Sequence, residues 1–139
     1  MCATCDRRLV LVAGLAALAA PGGAAARDLR EAFYLAEAER MRREAVARGD
    51  QSYGAVLVLA GAIVGYGPSR VVVDGDDDAH AERVAIWAAQ RTLGRADLTG
   101  AVLYSTSRPC RACEVAAADA GVARMIHGAG TDAGPPRRR

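Results

Sequence analysis

The sequence predicts an α/β sandwich with an antiparallel hairpin and parallel crossovers, and three observations lead there. Segments of helical and strand-like patterning alternate in the order helix, strand, strand, helix, strand, helix, strand. The second and third segments are apolar runs, 55–59 and 62–66, separated only by Ala60-Gly61, which reads as a hairpin. Each later strand is reached through a helical stretch, the connection that parallel strands require. The 139 residues suit one domain, and no internal repeat or second domain is visible.

Residues 1–26 read as an export signal that precedes a domain at 27–139. Arg7-Arg8 supply a charged start, Leu9–Ala20 an apolar run, Pro21-Gly22-Gly23 a break, and Ala24-Ala25-Ala26 a small-residue cleavage site. The apolar run has twelve residues, too few to cross a bilayer core of roughly 30 Å as a helix. The arginine pair followed by Leu9-Val10-Leu11 is a loose twin-arginine pattern. The expected location is therefore periplasmic or secreted, with no stable membrane anchor after cleavage. An uncleaved anchor and a misassigned start are the alternatives.

The elements follow in order. Asp28–Arg48 is expected to be the first helix, capped by Asp28, with Leu29, Phe33, Ala36, Met41 and Ala45 on its apolar side. Glu37/Arg40 and Glu39/Arg43 are expected to pair on the wet side, and Gly49-Asp50 ends the helix. The hairpin strands are Ala55–Leu59 and Ala62–Tyr66. Gly67–Asp78 reads as a loop with a dense acidic run. Ala79–Gly94 is a second helix, Ala101–Thr106 a strand, Cys110–Gly121 a third helix and Val122–His127 a last strand. Gly128–Arg139 shows no pattern and is expected to fray.

Composition narrows the function classes. Hydrophobic residues make up 52% of the chain, enough for a real core once the N-terminal block is discounted. The formal net charge is +2, the basic residues are all Arg, and loss of residues 1–26 leaves a chain close to neutral. With few aromatic residues to stack bases, nothing here suggests a nucleic-acid partner.

The chemistry concentrates in His80-Ala81-Glu82 and Pro109-Cys110-Arg111-Ala112-Cys113. His80, Cys110 and Cys113 can hold one Zn2+ through a nitrogen and two thiolates, leaving a fourth position for water. Cys110 and Cys113 lie three residues apart at a helix start, where helical spacing brings both sulfurs to one face. Glu82 suits a general acid/base beside a zinc-activated water. The same C-x-x-C could be a redox pair or a disulfide, but such a pair needs neither the histidine nor the glutamate. Cys2 and Cys5 repeat the spacing within the segment expected to be cleaved.

This H-x-E then P-C-x-x-C arrangement resembles the cytidine and deoxycytidylate deaminase superfamily, on the branch of guanine, cytosine and tRNA adenosine deaminases. Gly54-Ala55-Val56-Leu57-Val58, Leu103-Tyr104-Ser105-Thr106 and Gly121–Ile126 are similar to strands of that branch. The resemblance implies a three-layer α/β/α fold with a mixed sheet. It also implies a pocket lined by Gly54, Ala55 and the backbone at Ala81, and pairing into a homodimer. In Gly67-Pro68-Ser69-Arg70, Ser69 stands where the branch has a substrate-contacting Asn. Arg108 stands where the branch has Glu, and the chain stops soon after the fourth strand.

The expected activity is zinc-dependent hydrolytic deamination of a small nucleobase or nucleoside. Two alternatives stand beside it: a zinc-stabilised, inactive binding protein of this fold, and a tRNA adenosine deaminase.

Overall fold

A computed structural model describes residues 22–138, and the arginine pair, the apolar run and the Cys2/Cys5 pair lie outside them. The elements are α1 (Gly23–Ala47), β1 (Gly54–Leu59), β2 (Ala62–Pro68), α2 (Val71–Asp74), α3 (Ala81–Leu93), β3 (Val102–Ser105), α4 (Arg111–Asp119), β4 (Arg124–His127) and β5 (Thr131–Gly134). The five strands form one sheet in the order β2-β1-β3-β4-β5. β1 runs antiparallel to β2 and β3, β3 and β4 are parallel, and β5 returns antiparallel on β4. The sheet is mixed, with helices on both faces. Among the described residues no helix is long and apolar enough to cross a membrane.

The pleat explains the layers. Alternate residues of a strand point to opposite faces, so Val56, Val58, Tyr104 and Ile126 pack with Tyr34 and Met41 of α1. Ala55, Leu57, Leu103 and Met125 face the other way, onto Ala81, Ala85 and Ala89 of α3 and Ala117 of α4. Alanine on these helices lets them approach closely. At Gly65 and Gly67 β2 lies tight against α3, since a Cβ at either would meet a carbonyl oxygen, of Ala85 or Ala81, at 2.1 Å.

Three local expectations change. First, α1 starts at Gly23, so Asp28 lies inside it, and its N-cap, Gly22, makes no side-chain bond. Its buried residues are Tyr34, Ala38, Met41 and Ala45, while Leu29 and Phe33 are exposed. Tyr34 sets this phase, because its hydroxyl donates to the Gly61 carbonyl at 2.8 Å and its ring lies 5.0 Å from that of Tyr104. On the wet side Glu39 pairs with Arg42 instead of Arg43, and Glu37 pairs with Arg40.

Second, the 67–78 stretch holds the short helix α2, closed by Gly75 in the left-handed conformation. Third, the C-terminal end forms β5 and then doubles back. Arg137 donates from Nε and Nη2 to the Glu114 carboxylate at 2.9 and 3.1 Å, which ties the tail to the start of α4.

Candidate metal centre and cleft

The site forms where β2 and β3 end. Both run antiparallel to β1, so their carboxyl ends lie at one edge of the sheet, the usual place for a ligand site in an α/β fold. From that edge the chain enters α3 and α4. His80 is the N-cap residue of α3 and Cys110 that of α4, both with extended backbone. Two helix starts, rich in unpaired N–H groups, therefore meet at one point. Cys113, in the first turn of α4, donates its backbone N–H to the Cys110 sulfur at 3.4 Å.

His80 Nδ1 lies 3.6 Å from Cys110 Sγ and 3.4 Å from Cys113 Sγ. The three ligand atoms all fall within 4.8 Å of one another. A nitrogen and a sulfur bound tetrahedrally at zinc bond lengths lie about 3.6 Å apart. The donor set and its spacing fit Zn2+. The chemistry of Cys113 agrees: its sulfur is fully buried, and burial, the Glu82 charge and Cys110 push its thiol far above the ordinary range. A bound cation reverses that preference and makes the thiolate the stable form.

Glu82 sits in the first turn of α3 and is 6% exposed. Burial raises the affinity of its carboxyl for a proton, and its own backbone N–H, His80 and Cys113 offset part of that rise. It lines a cleft of about 520 Å³ together with Gln51, Tyr53, His80, Ala81, Ser107, Arg108 and Cys110. A neighbouring carboxylate, Glu114, faces away from this chemistry. Arg137 holds its carboxyl down to about 2, through side-chain and backbone hydrogen bonds.

Of the four residues expected at the substrate, Ala81 lines the cleft. Ser69, Gly54 and Ala55 are not among the lining residues. Ser69 is 2% exposed and donates its hydroxyl to Asp50 at 2.8 Å. Gly54 lies against α1, where a Cβ would meet the Ala38 carbonyl oxygen at 2.2 Å, and its N–H bonds to Thr106 Oγ1. Ala55 is fully buried under α3. Gln51, Tyr53 and Ser107 are the cleft residues that sequence reasoning missed, while Arg108, singled out as a departure from the branch, lines the cleft with them. Adjacency to Arg108 and Pro109-Cys110 could have pointed to Ser107. No motif marks Gln51 or Tyr53, which arrive through the α1–β1 connection.

Residues 29–129 match the family model described as the cytidine and deoxycytidylate deaminase zinc-binding region. A tRNA(Ile)-lysidine synthase of Deinococcus deserti is 40% identical over 96 residues, 68% of this chain and 18% of that protein. A tRNA-specific adenosine deaminase of Buchnera aphidicola is 31% identical over 100 residues, 72% of this chain and 66% of that one. The chain thus spans less than two thirds of either relative. The X-ray structure of guanine deaminase from Bacillus subtilis superposes with a TM-score of 0.66 at 33% identity, covering 69% of this chain and 62% of that one.

Proposed function

The chain belongs to the cytidine and deoxycytidylate deaminase family, whose members are zinc hydrolases, and we propose that it hydrolytically deaminates a small nucleobase or nucleoside. One observation carries this reading: His80, Cys110 and Cys113 converge at tetrahedral zinc spacing in the same cleft as the buried carboxyl of Glu82. Zinc bound there supplies Lewis acidity that makes a nucleophile available from water near neutral pH. His80 and the two cysteines fix where that nucleophile forms. Glu82 accepts its proton on a carboxylate oxygen and passes it to the ring nitrogen, then takes the second proton from the hydroxyl added to the ring carbon and delivers it to the departing amine. The amino-bearing ring carbon becomes a carbonyl and ammonia leaves. The walls of the cleft, with Tyr53 and Ser107 among them, hold the ring against Glu82.

A panel of free bases and nucleosides, assayed for ammonia release on zinc-loaded protein, tests the reading. Release from at least one member is expected. Folded, zinc-loaded protein that releases none from any member would sink it. The second reading, adenosine deamination in tRNA, draws support from the likeness to the Buchnera tRNA-specific adenosine deaminase, and a tRNA arm in the same panel separates the two.

The proposal includes export and pairing. Residues 22–30 are all exposed, so cleavage after Ala26 would remove no buried contact. N-terminal sequencing of mature protein should find a start near Arg27, and cytoplasmic protein retaining Cys2 would refute export. Light scattering should report twice the chain mass if the homodimer forms.

A further inference from the structure

The cleft carries a cation that the deamination step does not use. Apart from the ligands and Glu82, its polar lining residues are Gln51, Tyr53, Ser107 and Arg108. Arg108 is exposed, and among the described residues it makes no ion pair and no side-chain hydrogen bond. The acid in the adjoining cavity is already taken. Arg108 shares a second, smaller cavity of about 70 Å³ with Glu114 and Arg137. Glu114 accepts both guanidinium bonds and the backbone N–H of Arg137, and Arg111 stands 3.8 Å from it. That one carboxylate pairs with Arg137 and Arg111 and leaves the Arg108 cation without an ion-pair partner.

The backbone holds Arg108 ready. Pro109 follows it and is buried, and a residue before proline is restricted to extended conformations, so less order is lost when the side chain engages a partner. A neutral base presents nothing that calls for a free guanidinium at the rim. A phosphate does, since its oxygens match the planar fork of an arginine in pairs. The volume of about 520 Å³ falls in the range of sites for whole small molecules, and leaves room beyond a bare base. Tyr53, 47% exposed, lines the same cleft and places an aromatic residue beside the base.

From this arrangement we infer that Arg108 determines specificity, by binding a phosphate carried by the substrate nucleoside. The inference rests on the deaminase reading for the identity of the ring, and concerns which derivative of it binds. The phosphate belongs to a free mononucleotide or to a nucleotide within an RNA strand.

Binding separates this inference from catalysis. The full chain, zinc-loaded and carrying Glu82→Gln to block turnover, is titrated by calorimetry with the base, the nucleoside and the 5′-monophosphate of adenine, guanine and cytosine, and with a short RNA hairpin. In at least one series the monophosphate should bind about tenfold tighter than its nucleoside or better, weakening with added salt. Adding Arg108→Ala should remove most of that ratio, and Arg108→Glu should invert it, with zinc content reporting that each variant is folded. A hairpin that outcompetes the mononucleotides, and loses that advantage with Arg108→Ala, assigns the same contact to a strand phosphate. Equal affinity for nucleoside and monophosphate, or a ratio that survives Arg108→Ala, overturns the inference. Protein that shows the ratio yet releases no ammonia, when Glu82 is intact, overturns the deaminase reading and leaves the phosphate contact standing.

Discussion

The hydroxyl of Ser69 points at the carboxylate of Asp50, 2.8 Å away, and is sealed from solvent there. Asp50 also accepts the backbone N–H groups of Gln51, Val72 and Val73 at 2.7, 2.9 and 2.8 Å. One carboxylate thus joins the end of α1, the end of β2 and the first turn of α2. It anchors the connection that brings Gln51 and Tyr53 to the cleft.

This hub predicts a pH dependence. Burial pushes the Asp50 carboxyl upward, but the hydrogen bonds from Val73, Ser69, Gln51 and Val72 outweigh it and hold the group below its ordinary value. A carboxyl depressed in the folded state contributes stability above its unfolded value of about 3.9, and that contribution fades as pH falls through the folded value. Asp50→Asn should lower Tm by a few degrees at neutral pH, and the gap to the parent should close in melts below about pH 4. Ser69→Ala should also lower Tm while zinc content stays at the parent level. A gap that is constant from pH 7 to 3 would remove Asp50 from this role.

Metal content is the second expectation. One zinc per chain should be found by elemental analysis, and chelation should lower Tm, because bound metal stabilises only the folded form. Cys113→Ala should lose the ion and be destabilised beyond the loss of one buried sulfur, since His80 and Cys110 are left without their shared partner. Full zinc retention by this variant would contradict the ligand set.

Glu82 supplies the third. It is read as the group that moves protons and not as a ligand, so Glu82→Gln should retain zinc and lose activity about a hundredfold or more. Loss of zinc alongside activity would instead place its carboxylate on the ion.

The ligands were legible in the sequence because zinc chemistry imposes local spacing: two sulfurs three residues apart and a histidine two residues before the acid. The hairpin was legible because Val56-Leu57-Val58 and Ile63-Val64 are apolar runs broken by one turn. β5 was not, since Thr131–Gly134 is a mostly exposed edge without apolar alternation, held by backbone pairing to β4. The phase of α1 was missed because Phe33, Tyr34 and Leu35 are all apolar, and the choice among them is made by Tyr104 across the sheet. Gln51 and Tyr53 reach the cleft through tertiary path alone. Ser69, Gly54 and Ala55 were expected there by resemblance, and their nearest partners are Asp50, α1 and α3.

The tail makes the last prediction. Arg137 caps Glu114, which is 7% exposed and follows the ligand Cys113 directly. Arg111 adds a bond from its Nη2 to the Arg138 carbonyl at 2.9 Å, so the strap is tied at two points on the first turn of α4. That turn carries Cys113, and its backbone is the scaffold of the metal centre. Arg137→Ala leaves a nearly buried carboxylate short of its main partner and frees the strap. Amide hydrogen exchange in residues 111–114 should quicken, and zinc should pass to a chelator faster, with the amount bound at equilibrium in excess zinc unchanged. Arg137→Lys keeps the charge but not the paired geometry and should fall between the two. Exchange and zinc release that match the parent in Arg137→Ala would show that the tail merely rests on α4 and does not brace the metal centre.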